Sequence, residues 1–173
     1  MKPKTLSRLG LAALVALMPG SSFAWSDSVY RLVIRKAIDT LPKGQKKYFE
    51  DHKYEMPSLT PDEDPPTRPE GRRFAMDLLG RFPFKDVPQD EASVKARADI
   101  RVVGRLPFLL IEAQARLTAA FKEGDKEKIL QAADEVAILA ADLNNPLLMT
   151  ENFDGQKTEQ AGVAKRLAAR LPE

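Results

Sequence analysis

Residues 125–156, which read DKEKILQAADEVAILAADLNNPLLMTENFDGQ, predict a long helix followed by a tight turn. Apolar side chains recur at the spacing that places them on one helical face, at Ile129, Ala132, Ala133, Val136, Ala140 and Leu143. Gly124 and Asp125 are suited to ending a preceding helix and capping this one. Asp154-Gly155 is a turn signal that ends the segment. The stretch is therefore typical of a helix that buries one face in an all-α fold.

The rest of the chain also predicts helices, and no segment alternates at period two for long enough to indicate a strand. We expect these helices over residues 29–41, 45–52, 72–79, 90 to about 103, 107–123 and 160–171. Five prolines between residues 56 and 71 predict a loop, because proline lacks the amide donor that helices and sheets need. The sequence predicts a single domain, an all-α helical bundle, over residues 25–173.

Residues 1–24 have the three-part pattern of a secretory signal peptide. Three basic residues in the first eight positions precede an apolar run over residues 9–18, and small residues lead to Ala24. The run has about ten residues, whereas a membrane-spanning helix needs about 20. We expect cleavage after Ala24, no transmembrane anchor after cleavage, and export to a periplasm or out of the cell.

Cleavage would change the charge of the protein. The full chain has a formal net charge of +2, and the leader holds three basic residues and no acidic ones, so residues 25–173 carry −1. This net charge does not favour a nucleic-acid partner. The chain has no cysteine, so no disulfide supports the fold, and its single histidine is His52.

The second half of the opening stretch resembles a motif of the zinc-dependent phospholipase C and single-strand-specific nuclease family. There the run reads roughly H-Y-x-x-D-A-H-x-P-L-H-T-T-E-N-x-D-G-Q, and its histidines bind a zinc cluster. Here Asp142 and the segment from Pro146 to Gln156 keep most of the other positions. Ile138, Asn144 and Leu148 stand at the three histidine positions.

Further blocks extend the resemblance over most of residues 25–173. The family's N-terminal tryptophan and the histidine five residues later correspond to Trp25 and Tyr30. A Gly-Arg-Phe-Pro-Phe run at residues 80–84 aligns Arg72 with a ligand histidine, Ala75 with a bridging aspartate and Asp77 with a second acidic position. A Gly-x-Leu-Pro-aromatic motif follows at residues 104–108. Ala164 and Ala168 replace the histidine and glutamate of the last block, and Asp62 or Asp64 aligns loosely with an upstream acidic ligand.

The resemblance implies a phospholipase C/nuclease-type bundle that has lost its zinc ligands. The degenerate metal-site positions are Trp25, Tyr30, Arg72, Ala75, Ile138, Asp142, Asn144, Leu148, Ala164 and Ala168. Zinc prefers nitrogen and sulfur ligands, so we expect no zinc cofactor here. The apolar replacements predict that the former metal cavity is filled as core, with Asp142 and Asn144 as the polar residues that remain on its helix. We further expect Arg72 to pair with Asp142, so that a guanidinium replaces the metal's charge.

Three functions remain open from the sequence. The first is an exported non-catalytic homologue, a pseudoenzyme, which binds an unidentified protein or envelope component. The second is a phosphodiester-cleaving hydrolase, a nuclease or phospholipase, with a carboxylate-based metal site formed by Asp142, Glu151 and Asp154. Trp25 joins that set if cleavage frees its amino group, and otherwise its indole is simply buried. The third is an adaptor module carried by the proline-rich loop. The loss of every family histidine favours the first.

Overall fold

The structure is a computed structural model that describes residues 25–59 and 71–170. Helices account for 66 % of these residues and none of them forms a strand, which confirms the all-α class. The α-helices of the described ranges are α1 (Asp27–Thr40), α2 (Lys43–His52), α3 (Glu91–Arg97), α4 (Ile100–Val103), α5 (Leu106–Glu123), α6 (Lys126–Leu143) and α7 (Val163–Arg170). Short 3-10 helices lie at Lys53–Glu55, Met76–Leu78 and Pro146–Met149. The signal-peptide prediction, Asp62, Asp64 and most of the proline-rich loop lie outside the described residues.

The two longest helices, α5 and α6, form the centre of the fold. Pro107 lies in the first turn of α5, where its missing amide donor costs nothing. Gly124 ends α5 in the left-handed conformation at φ 69°, and the Asp125 side chain accepts the Lys128 amide at 3.1 Å to cap α6. Since only two residues join them, the helices pack against each other as antiparallel neighbours, and α1 packs on α6.

Two groups of buried apolar side chains form the interior. Cluster 1 contains Phe74, Leu79, Val87, Val94, Val103, Leu106, Phe108, Leu109, Ala113, Leu139 and Leu148. Cluster 2 contains Tyr30, Ile34, Ile38, Phe49, Met56, Leu59, Ala120, Ile129, Leu130, Ile138 and Ala141. Helix α6 contributes to both clusters, and Trp25 packs against both. Each fully buried large side chain contributes roughly 1.5–3 kcal/mol of transfer free energy.

Two sequence-based helix predictions are only partly correct, the first because of distant main-chain partners and the second because of a local cap. The segment 72–75 is extended rather than helical, because its amides bind distant carbonyls: Phe74 donates to Leu148 at 2.7 Å and Ala75 to Val103 at 2.8 Å. The helix predicted from residue 90 to about 103 is broken after Arg97, where Ala98 is extended and the Asp99 side chain caps α4.

The other helices follow the prediction closely. The Ser26 hydroxyl caps α1 and the Asp90 carboxylate caps α3, each by accepting an amide hydrogen three residues further along. Helix α7 begins three residues later than predicted, at Val163. Among the residues described, no helix has the length and apolar character needed to cross a membrane.

Candidate functional site

The centre of the candidate site is Asp142, in the last turn of α6. Its side chain is completely buried, with 0 % exposure. The Tyr30 hydroxyl donates a hydrogen bond to Oδ1 of this carboxylate, and Nη2 of Arg72 donates to Oδ2. The same Arg72 nitrogen lies 3.1 Å from the Tyr30 hydroxyl, and the guanidinium carbon lies 5.7 Å from the Tyr30 ring centroid. We call these three residues the Asp142 triad, and they confirm the predicted ion pair between Arg72 and Asp142.

Three separate segments bring the triad together. Tyr30 comes from the first turn of α1, where Ser26 caps the helix. Asp142 comes from the last turn of the central helix α6. Arg72 belongs to the extended segment 71–75, whose carbonyls accept the Arg105 amide at 2.8 Å and the Leu106 amide at 3.1 Å. Main-chain bonds on both sides of Arg72 therefore fix the origin of its side chain.

Gly104 is required for the position of this segment. Its φ angle is 92°, a conformation that side chains rarely adopt, and a Cβ atom there would lie 2.1 Å from the Arg73 carbonyl oxygen. Because Gly104 has no side chain, the chain entering α5 can approach the 71–75 segment closely enough for the two main chains to form hydrogen bonds. The Gly-x-Leu-Pro-aromatic motif consequently has a structural role in holding Arg72 over Asp142.

The charges of the triad balance inside the protein. A buried carboxylate needs a cation or several donors to offset the loss of hydration, and here it has a guanidinium and a phenol. The Arg72 side chain is 12 % exposed, so the whole ion pair is largely screened from water. Each oxygen of the carboxylate is occupied by a protein donor. The arrangement joins α1, α6 and the 71–75 segment.

Most of the remaining aligned positions lie in the interior, as the apolar replacements predicted. Ala75, Ile138, Leu148 and Ala164 are all less than 10 % exposed, and Ile138 and Leu148 belong to clusters 2 and 1. Ala168 is half-buried in α7. None of these side chains offers a metal ligand, and their packing contributes to core instead.

Asn144 is the exception, and its prediction as an inward polar residue is wrong. It is exposed, and its side-chain amide donates to the Ala140 carbonyl at 2.8 Å. Asn144 caps the end of α6, where the chain leaves the helical path and the inward face no longer follows the helical period. The next residue, Asn145, is completely buried, and its side-chain oxygen accepts the Leu147 amide at 3.0 Å.

Glu151 and Asp154 have separate structural partners away from the triad. The Asp154 carboxylate accepts the amides of Gly162 at 2.8 Å and Ala164 at 3.0 Å, and so it caps the start of α7. The Glu151 carboxylate pairs with Lys157. Within residues 25–59 and 71–170, no group of three or more His, Cys, Asp or Glu side chains is placed to hold a metal ion.

Trp25 and His52 occupy ordinary structural positions. The Trp25 indole is half-buried, and its Nε1 donates to the Ala141 carbonyl at 2.9 Å, next to Asp142 in the chain. The structure therefore brings the Trp25 indole close to the triad's helix as a packing group. His52 lies at the end of α2 with its Nδ1 atom 2.7 Å from a Glu55 carboxylate oxygen.

Sequence reasoning missed a second buried carboxylate on α6. Asp134 is 3 % exposed and accepts two hydrogen bonds from Ser58, one from its amide at 3.2 Å and one from its hydroxyl at 2.8 Å. These bonds tie the start of the proline-rich segment to the central helix. The one local sign of this buried carboxylate was its place directly after the apolar pair at positions 132 and 133. That sign does not identify Ser58 as the partner of Asp134.

Comparisons of this chain with protein-family models, with curated proteins and with solved structures found no match. The motifs of the chain and the geometry of the Asp142 triad are therefore the features that bear on its function.

Proposed function

We propose that residues 25–173 form an exported, non-catalytic homologue of the zinc-dependent phospholipase C/nuclease hydrolases, with a bundle of that type. Its role would be to bind a protein or another component of the cell envelope or exterior. The Asp142 triad is the observation that carries this proposal. Tyr30 and Arg72 both stand at positions aligned with zinc ligands, and both bond to Asp142, an acidic residue that the motif retains.

The triad opposes metal binding for two physical reasons. A divalent cation at Asp142 would lie beside the Arg72 guanidinium, and like charges in a buried site repel strongly because the local dielectric is low. The ion would also need three or four ligands, whereas the aligned positions Ala75, Ile138 and Leu148 are apolar. Displacing Arg72 would also break its hydrogen bonds to Asp142 and Tyr30.

The alternative function, a phosphodiester hydrolase with a carboxylate-based metal site, receives less support. It needs Glu151 and Asp154 to act with Asp142. Asp154 instead caps α7 through two amides, and Glu151 pairs with Lys157. A metal at Asp142 would have to compete with these structural bonds for either carboxylate.

Metal analysis combined with activity assays tests the proposal. The protein comprising residues 25–173 would be purified without chelators, its zinc, calcium and magnesium content measured, and cleavage of single-stranded DNA and of phosphatidylcholine followed. We expect metal well below one ion per chain and no turnover above a protein-free blank. Stoichiometric metal together with turnover that disappears in Asp142→Asn would establish the hydrolase instead.

Export is tested separately. The full chain would be expressed in a bacterial host, the cell fractions and medium separated, and the mature N-terminus sequenced. We expect the protein outside the cytoplasm with Trp25 as its first residue. Retention of the intact leader in the cytoplasmic fraction would remove the exported role from the proposal.

A further inference from the structure

Phe82 is the most exposed of the large apolar side chains in the described residues, with 85 % of its surface open to solvent. Most exposed apolar residues on a protein need no explanation, but a nearly complete phenyl ring in water is costly. The next most exposed examples, Ile111 at 61 % and Tyr54 at 59 %, lie on helices and keep more of their surface covered. Phe82 is different because it protrudes from a turn.

A tight turn over residues 81–84 holds Phe82 outward. The Phe84 amide donates to the Arg81 carbonyl at 2.7 Å, so Phe82 and Pro83 occupy the two central positions at the tip. Phe84 packs against cluster 1, and its ring meets the Phe82 ring edge-on at a centroid distance of 5.9 Å. Phe84 also has φ 60°, which is an unfavourable conformation for a bulky residue. The protein thus holds a strained turn that presents one ring to solvent.

The turn carries a positive charge. Arg81 and Lys85 flank the aromatic residues, both are exposed, and neither forms an ion pair with the residues that the structure describes. Arg97 adds a third cation, since its guanidinium binds the Asp86 carbonyl at 2.6 Å. The turn itself, residues 81–85, has two cations and no anion, whereas residues 25–173 carry a net charge of −1.

We propose that the 81–85 turn docks on an anionic lipid bilayer, with Phe82 inserted at the interface and Arg81 and Lys85 on the phosphate headgroups. A single protruding ring between cations is suited to the interface of an anionic bilayer, because aromatic rings partition into that interface and nearby cations are attracted by anionic lipids. A protein partner would need about 800 Å² of matched surface on each side, which one narrow turn does not supply. The inference uses residues distinct from the Asp142 triad and does not depend on the absence of catalysis.

Vesicle co-sedimentation tests this docking. The protein comprising residues 25–173 would be mixed with vesicles of phosphatidylcholine alone and of a phosphatidylcholine–phosphatidylglycerol mixture. We expect binding to the mixed vesicles that weakens as salt is added, because salt screens exposed charges. Phe82→Ala should weaken binding roughly tenfold or more by removing the buried ring. Arg81→Gln and Lys85→Gln should each weaken it about fivefold, as expected for one cation near an anionic surface.

Ile111→Ala is the matched control, because it truncates another well-exposed apolar side chain on α5, and it should bind vesicles like the parent protein. Circular dichroism would verify that every variant is folded. Failure of the parent protein to sediment with the mixed vesicles would overturn the proposal, as would equal binding by Phe82→Ala. Self-association that is abolished by Phe82→Ala without any vesicle binding would also overturn it, and would assign the turn to a second copy of the chain. The presence or absence of phosphodiester turnover changes none of these outcomes.

Discussion

Replacing Arg72 with alanine should destabilise the protein strongly, because it leaves the Asp142 carboxylate buried with the Tyr30 hydroxyl as its remaining triad donor. Removing one partner of a buried ion pair costs about 3–5 kcal/mol. For a domain of this size, 1 kcal/mol corresponds to roughly 2–4 °C in Tm, so the melting temperature should fall by roughly 6–20 °C. Urea unfolding followed by circular dichroism measures the change, with the m-value as a check on two-state behaviour.

The second variant, Arg72→Ala combined with Asp142→Asn, separates electrostatics from packing. Asparagine keeps the shape of the side chain and an oxygen for Tyr30 while removing the charge, so the double variant should recover about 2 kcal/mol or more relative to Arg72→Ala. Arg101→Ala is a suitable control, because Arg101 is 87 % exposed in its ion pair with Asp99 and should matter little. If Arg72→Ala and the double variant unfold at the same urea concentration, the ion pair does not stabilise the fold and the reasoning is refuted.

Two further predictions concern the supports of the site. Gly104→Ala should lower the free energy of unfolding in urea by about 2 kcal/mol or more, since it adds a main-chain clash to a positive φ angle. The control is Gly44→Ala in α2, which has open space around it and should raise that free energy by about 0.5–1 kcal/mol. Equal effects of the two changes would contradict the assigned role of Gly104. Hydrogen bonds from Arg105 and then Lys95 lower the pKa of Glu91 from its usual 4.5 to about 2, so the stability that this carboxylate contributes is present above pH 4.5 and is lost as pH falls towards 2. Thermal melts across that range should therefore show a smaller acid-side loss of Tm for Glu91→Gln than for the parent protein, and identical slopes would count against the interaction.

The sequence predicts what is decided locally in this fold. The ends of α5 and α6 follow from Pro107, Gly124 and Asp125, whose conformational preferences act within one turn of the chain. The extended segment at 72–75 was not predictable in the same way, because the carbonyls that bind its amides belong to residues about 30 and 70 positions away. Secondary structure that depends on such distant partners is not marked by a periodic pattern in the local sequence.

One part of the candidate site was predictable from the motif resemblance, which placed two residues at one location. That alignment put Arg72 and Asp142 together and so predicted their ion pair, which the structure contains. It did not predict that the Tyr30 hydroxyl would be the second donor to the same carboxylate. It also placed Asn144 inward, whereas the end of α6 turns that residue to solvent and buries Asn145. Alignment thus located the elements but not the rotation of each side chain at a helix end.

The position of Trp25 makes the protein convenient to observe. It is the single tryptophan of the chain, and its indole rests on both hydrophobic clusters while bonded to α6. Its intrinsic fluorescence should therefore shift to longer wavelength when either cluster opens. One inflection during denaturation would show that both halves of the interior melt as a unit, and two would show that they separate.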